Sequence, residues 1–425
     1  MGNIRIICAT IVVVVASLVL TACSTTHDLV ATPNLYSATG VYPEAEIPAG
    51  LKTTKPTLLY ITDRQVENTK DGRFSYGIKR SPSMAFGQAE VSFGDGLSWQ
   101  QLHKASSSGK RKTPVKVSVT DVREILRFPA TPLPFGVRSG NAVSLSGPQA
   151  EYNAKTRQLQ KVLSARLASA NRREVVMFVH GYNNNFNEAA LSLADIWHFS
   201  GRVGVPVFYT WPAGNSGLTG YFKDREAGEF SVFHFKETIK IISATPGLEA
   251  IHIIAHSRGT DVVTTALREL MIAERAAGRN PRKTLKVQNL TLAAPDLDFG
   301  VVRQRLIAER FGPVFGQVTV YMNKSDGALN LSQSLMSGLR FGRIGVKDLE
   351  PSEKKIFAQV KNVNFIDVED VGGFIGHAYF RENPAVLSDI AITIRSSLSP
   401  GHTGRPLKNI GGNFWLLDKH YPLGQ

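Results

Sequence analysis

Hydrophobic positions change their rhythm along the chain. Behind Arg5 they run almost unbroken over residues 6–20. From about Pro56 to Arg173 they fall into short runs, such as 57–62 and 89–93, that predict strands separated by loops; residues 151–171 then have helical composition. After Arg173, apolar and β-branched runs recur at 175–179, 206–209, 251–255, 288–293, 318–322 and 363–367. Between them lie segments of helical character, notably 187–199, 226–242, 260–277 and 297–310. This alternation predicts the α/β class: a mostly parallel central sheet with helices on both faces, preceded by a strand-rich N-terminal extension. Functional groups on such a sheet gather in the turns at the carboxyl ends of its strands. No repeat of fixed period is visible, which disfavours a solenoid or propeller.

Length and composition add bounds. A chain of 425 residues with 43% apolar content has room for two or three domains and a large core, and a mainly disordered or low-complexity protein is excluded. The pattern divides it into an export signal (1–22), a tether (23–55), a strand-rich part with the helix leading into the core (56–173), the α/β core (174–395) and a C-terminal tail (396–425). Lys and Arg number 49 against 35 Asp and Glu, a formal charge of +14 that suits phospholipid headgroups and nucleic acid alike. No helix-turn-helix, zinc-finger or aromatic RNA-binding signature accompanies the charge, so nucleic acid is not an expected partner. Oligomeric state is not legible.

The apolar run over residues 6–20 is short for a bilayer core of about 30 Å, which takes about 20 helical residues, and has the shape of an export signal. It ends in Leu20-Thr21-Ala22-Cys23, which resembles a bacterial lipobox. That resemblance implies a diacylglyceryl group on the Cys23 sulfur, cleavage ahead of it, and membrane attachment. Ser24, rather than Asp, at the next position implies the outer membrane facing the periplasm. Residues 24–55, with Pro33, Pro43, Pro48 and several small residues, read as the tether. Cys8 and Cys23 are the two cysteines, so the body has neither a disulfide nor a thiolate metal site.

Chemistry concentrates in the strand-following turns. The run 251–255 leads into Ala255-His256-Ser257-Arg258-Gly259 and then a helix, the strand–turn–helix context of a nucleophile elbow. Ala255 stands where the usual pattern has Gly. A serine hydroxyl needs a base to take its proton. Among ten histidines, His377 in Gly376-His377-Ala378-Tyr379-Phe380 follows the last strand of the core, with His402 and His420 in reserve. The orienting acid falls between nucleophile and base in chain order. Asp326 meets that order after the 318–322 strand; Asp296 and Asp298, one turn earlier, are the alternatives, and each of the three also suits a plain helix cap. The oxygen that becomes negative during acyl transfer needs N–H donors. Arg258 supplies one, and Tyr182 or Asn183, in His180-Gly181-Tyr182-Asn183-Asn184-Asn185-Phe186, the other. The Asn run there also fits helix capping, and His180 reads as a loop-orienting group.

Two rival motifs fail. His252 and His256 are four apart, but on a strand that spacing spans about 13 Å, which is too far to share a zinc ion. Ser106-Ser107-Ser108-Gly109-Lys110 lacks the leading Gly of a phosphate-binding loop. No metal or cofactor is expected.

Taken together, the boxes His180-Gly181-Tyr182-Asn183, Trp211-Pro212, Ala255-His256-Ser257-Arg258-Gly259, Ala293-Ala294-Pro295-Asp296 and Gly376-His377-Ala378-Tyr379-Phe380 make the chain resemble the alpha/beta-hydrolases, and among them a bacterial family of unknown function marked by an HGYN box. Thr62-Asp63-Arg64 and Tyr76-Gly77 extend the likeness over about residues 57–395. The resemblance implies a Ser257–His377–Asp326 triad and an acyl ester or thioester substrate, with residues 211–225 shaping an acyl pocket or forming a surface loop. The alternative is a non-catalytic hydrolase-fold envelope protein that binds or scaffolds, motivated by the anchor, the basic surface and the long N-terminal part.

Overall fold

The computed structural model describes residues 26–68, 74–336, 338–369 and 376–423; the expected export signal (1–22) and Cys23 lie outside the described residues. Strands β1 (Thr26–Asp28), β2 (Thr57–Asn68), β3 (Phe74–Phe93) and β4 (Lys116–Arg127) come first, then a small separate hairpin of β5 (Phe135–Arg138) and β6 (Asn141–Ser144). The long helix α1 (Ser146–Ser169) leads into β7 (Glu174–Val179), α2 (Phe186–Phe199), β8 (Val205–Thr210), α3 (Gly217–Ser243), β9 (Ala250–His256), α4 (Gly259–Ala276) and β10 (Val287–Ala293). Then follow β11 (Gln317–Met322), α5 (Gly327–Met336), β12 (Val363–Val368), α6 (Tyr379–Glu382), α7 (Pro384–Ser396), β13 (Lys408–Gly411) and β14 (Phe414–Leu417).

All strands except the hairpin share one twelve-stranded sheet in the order β1-β4-β3-β2-β8-β7-β9-β10-β11-β12-β14-β13. It is parallel from β2 through β14 and antiparallel at both edges. The strand-rich extension is therefore one edge of the same sheet. Side chains alternate across it. On β7, Val175, Met177 and Val179 join a core with α1, α3 and α4, while Val176 and Phe178 join the opposite core with α2 and α7. Burial on both faces explains why these strands read as unbroken apolar runs.

The tether reading of residues 24–55 does not hold for the part described. Tyr36, Tyr42 and Ile47 are buried, and the Tyr36 and Tyr42 hydroxyls donate to the carbonyls of Phe199 and His198 at 2.8 and 2.7 Å. Pro33, Pro43 and Pro48 each precede a short helical turn, so they fix the path of a docked segment. The C-terminal tail is also structural: β13 and β14 extend the sheet, and Arg405 pairs with Asp389, both fully buried. Among the described residues no helix is long and apolar enough to cross a membrane.

Candidate active site

The elbow follows β9. Ser257 adopts φ 50°, a left-handed conformation that a non-glycine residue holds only when its surroundings force it. Its N–H donates to the Ala293 carbonyl at 3.0 Å, and its own carbonyl accepts from Thr260 at the start of α4. Two glycines allow the close approach of the neighbouring turn. A Cβ on Gly259 would sit 2.2 Å from the His180 carbonyl oxygen, and one on Gly181 would sit 2.7 Å from the Ser257 Cβ. The turn after β7 thus lies directly against the serine.

His377 comes from beyond β12, and its Nδ1 lies 2.7 Å from Asp326 Oδ2. Asp326 is wholly buried at the end of β11, and its other oxygen accepts from the Leu329 N–H at 2.9 Å. One carboxylate therefore both caps α5 and contacts the imidazole. A fixed Nδ1 contact leaves Nε2 as the ring's free proton acceptor. His256 braces the same imidazole from below the serine. Its Nε2 donates to the His377 carbonyl at 3.0 Å, and its ring lies between those of His377 and Phe380, with centroids at 4.7 and 4.4 Å. Burial, reinforced by His377, holds the His256 ring well below the usual histidine range, so it stays neutral. Among the described residues no hydrogen bond joins Ser257 to His377; such a contact commonly tightens only with substrate bound.

The alternative acids are engaged elsewhere. Asp296 is buried, accepting from the Tyr221 hydroxyl and the Ser332 hydroxyl at 2.7 Å each. Asp298 caps the short helix Phe299–Val302 through Val301 N–H at 2.9 Å. Neither meets a histidine. His402 is exposed and bonds within its own turn, to Gly404 N–H at 3.0 Å, and His420 is likewise exposed, its N–H held by Asp418. His252, four residues back along β9, is bound to Glu174 at 2.9 Å and to Asn289 at 2.7 Å.

Of the N–H groups expected to serve as oxyanion donors, that of Asn183 is taken. The Asn183 N–H donates to Asp224 Oδ2 at 2.8 Å and is spent there, and Asn183 itself is left-handed, with φ 55°. Arg258 and Tyr182 N–H groups have no acceptor among the described residues. The Asn run does cap: Asn185 and Glu188 form a reciprocal capping box that starts α2 right behind this turn. His180 is buried and stacked on Trp211, with centroids 5.2 Å apart. Its Nδ1 donates to the Gly181 carbonyl at 2.9 Å and its Nε2 accepts from Arg64 at 3.3 Å, so burial and that cation keep it uncharged. Residues 211–225 are loop only to Ser216, since α3 begins at Gly217. Arg64 and Asp224 are the two residues around this site that sequence reasoning did not single out for a role; isolated charges on a strand and a helix carry no local signal of what they will meet.

A mostly parallel sheet with a left-handed serine at a strand-to-helix turn defines the alpha/beta-hydrolase fold. The chain belongs to the family described as alpha/beta hydrolase of unknown function (DUF900), whose model matches residues 155–395. A search of curated proteins found no match.

Proposed function

We propose that the protein is a serine hydrolase that cleaves carboxylic esters or thioesters through an acyl-enzyme. The observation that carries this reading is the 2.7 Å contact between His377 Nδ1 and Asp326, on turns adjoining the left-handed Ser257. In the reaction, His377 Nε2 takes the Ser257 proton as Oγ attacks the acyl carbon. The N–H groups of Arg258 and Tyr182 receive the developing oxyanion. Collapse expels the alcohol or thiol, protonated by His377, and leaves the acyl group on Ser257. A water then attacks, giving its proton to His377, and the second collapse releases the carboxylic acid and restores Ser257. Asp326 holds the tautomer in which Nε2 accepts, and stabilises the imidazolium formed in each half-reaction.

The Leu20-Thr21-Ala22-Cys23 box supports export and a lipid anchor on Cys23, with the catalytic body at the envelope, on the periplasmic face of an outer membrane. A fluorophosphonate probe is expected to label the wild type and not Ser257→Ala, and a panel of chromogenic esters of rising chain length then ranks substrates. Folded wild type that neither labels nor turns over any ester would refute the enzyme and leave the binding-protein alternative. Incorporation of an alkyne fatty acid into wild type but not Cys23→Ala checks the anchor; equal incorporation refutes it.

A further inference from the structure

Two charged side chains that take no part in the triad are buried against the turn beside Ser257. Arg64, on β2, is fully buried, and every one of its five N–H groups finds an acceptor: Nε the Thr210 hydroxyl at 2.8 Å, Nη1 the carbonyls of Gly77 and Ala213 at 3.0 and 2.7 Å, and Nη2 the Asn184 carbonyl at 2.7 Å and His180 Nε2 at 3.3 Å. Asp224, on α3, is equally buried and accepts four bonds. Oδ1 takes the Asn215 backbone and side-chain N–H groups at 3.1 and 2.8 Å, and Oδ2 takes the N–H groups of Asn183 and Gly214 at 2.8 and 3.1 Å.

The two charges grip the same two loops from opposite sides. After β8, the single peptide unit between Ala213 and Gly214 gives its carbonyl to Arg64 and its N–H to Asp224. After β7, Asn184 gives its carbonyl to Arg64 and Asn183 its N–H to Asp224. Each charge is desolvated, and burial pushes Arg64 down to about 10 and the Asp224 carboxyl up. Burying an ion costs several kcal/mol, so a stability role alone is a poor account of two of them spent on two turns. What they fix is the peptide unit joining Tyr182 and Asn183, through its N–H, and the Asn184 carbonyl that follows it.

Resting on the acyl-transfer reading above, we infer that Arg64 and Asp224 are positioning residues for the oxyanion step, an opposed pair that locks the turns after β7 and β8 so that the Tyr182 N–H points at the oxygen that becomes negative. Neither touches substrate. Asp224→Asn keeps one accepting oxygen but turns an NH₂ toward two N–H donors, and Arg64→Lys keeps the charge but loses the planar fork.

The test uses the full-length protein, with active sites titrated by fluorophosphonate and with a trifluoromethyl ketone as an oxyanion-forming inhibitor. Asp224→Asn is expected to lower kcat per titrated site about a hundredfold with KM little changed, as a donor misplaced by about 1 Å does. Ketone affinity should fall by the same factor as kcat/KM. Arg64→Lys should show a smaller loss with the same pattern, and it decides the matter if Asp224→Asn does not fold. Glu174→Gln, at the opposite end of β7, is the control for destabilisation: lower Tm, unchanged kcat per site. An active wild type whose Asp224→Asn and Arg64→Lys forms keep kcat and ketone affinity within twofold would overturn the positioning role and leave the hydrolase reading standing. A wild type that never labels removes that reading and this one together.

Discussion

Replacing Asp326 by Asn separates the proposed triad from its alternatives. The mutant side chain has the same shape, and its oxygen keeps the bond from the Leu329 N–H, 2.9 Å in the native protein, so α5 stays capped. The amide nitrogen then stands where Oδ2 stood, 2.7 Å from His377 Nδ1. An amide NH₂ only donates, so Nδ1 must accept and the ring proton moves to Nε2. That tautomer cannot take the Ser257 proton. The loss expected is about 10³- to 10⁴-fold in kcat, or about 4–5.5 kcal/mol of barrier, with little change in KM or Tm. Asp296→Asn disturbs the bonds to Tyr221 and Ser332 and the ion pair with Arg340, and is expected to stay within about tenfold of wild type, since no charge or tautomer at His377 changes. Steady-state kinetics on a short chromogenic ester, with thermal melts of each protein, read both. Asp326→Asn with near-native kcat, or a larger loss in Asp296→Asn, would refute the assignment.

Gly181→Ala forces its Cβ to 2.7 Å from Ser257 Cβ and 3.2 Å from His256 Nδ1, so kcat per titrated site should fall about a hundredfold; Gly147→Ala, with nothing within 4 Å, should leave it unchanged, and equal rates would refute the close-approach argument. Burial holds His180, His198 and His256 well below the usual histidine range, so the unfolded chain takes these protons first. Their contribution is complete above pH about 6.5 and is lost as pH falls below it, by up to about 1.4 kcal/mol per pH unit for each ring; a urea midpoint that stays flat from pH 7.5 to 5 would contradict this. Asp389→Asn leaves Arg405, buried and held at 2.7 and 2.9 Å, without its counter-charge, and should cost about 3–5 kcal/mol in urea unfolding; a loss under about 1 kcal/mol would show the pair to be dispensable.

The fold was legible where burial imposes a local rhythm. Residues 175–179 and 251–255 read as strands because both faces of β7 and β9 are covered, and the strands end within a residue of the reading. The elbow was legible because a strand, a small-residue turn and a helix follow one another in sequence. Chain order between Ser257 and His377 admitted all three acids, and the preference for Asp326 came from its place in the turn after the 318–322 strand; the structure brings that carboxylate to the histidine. The docking of residues 26–55 was not legible: its apolar anchors, Tyr36, Tyr42 and Ile47, are isolated by prolines, and their partners Phe199 and His198 lie far along the chain. The same holds for Arg64 and Asp224, whose contacts reach Asn183 and Asn184 from a strand and a helix distant in sequence. For Asn183, the capping composition was visible but the bond from its N–H to Asp224 on α3, 41 residues further along, was not.

In the proposed mechanism a structural role and a chemical one are not rivals at such a site. Asp298 and Asp326 both cap helices with one carboxylate oxygen, and a cap alone makes neither an acid of the triad. The difference lies in the second oxygen, which at Asp326 meets an imidazole and at Asp298 does not. The cap is what makes that second oxygen useful. A carboxylate pinned by the Leu329 N–H has little rotational freedom left, so its contact with His377 needs no further ordering when substrate arrives. By the same logic the capping box at Asn185 and Glu188 fixes the start of α2 immediately behind the turn that carries Tyr182. Removing either cap should therefore disturb the geometry of the reacting groups before it unfolds the helix.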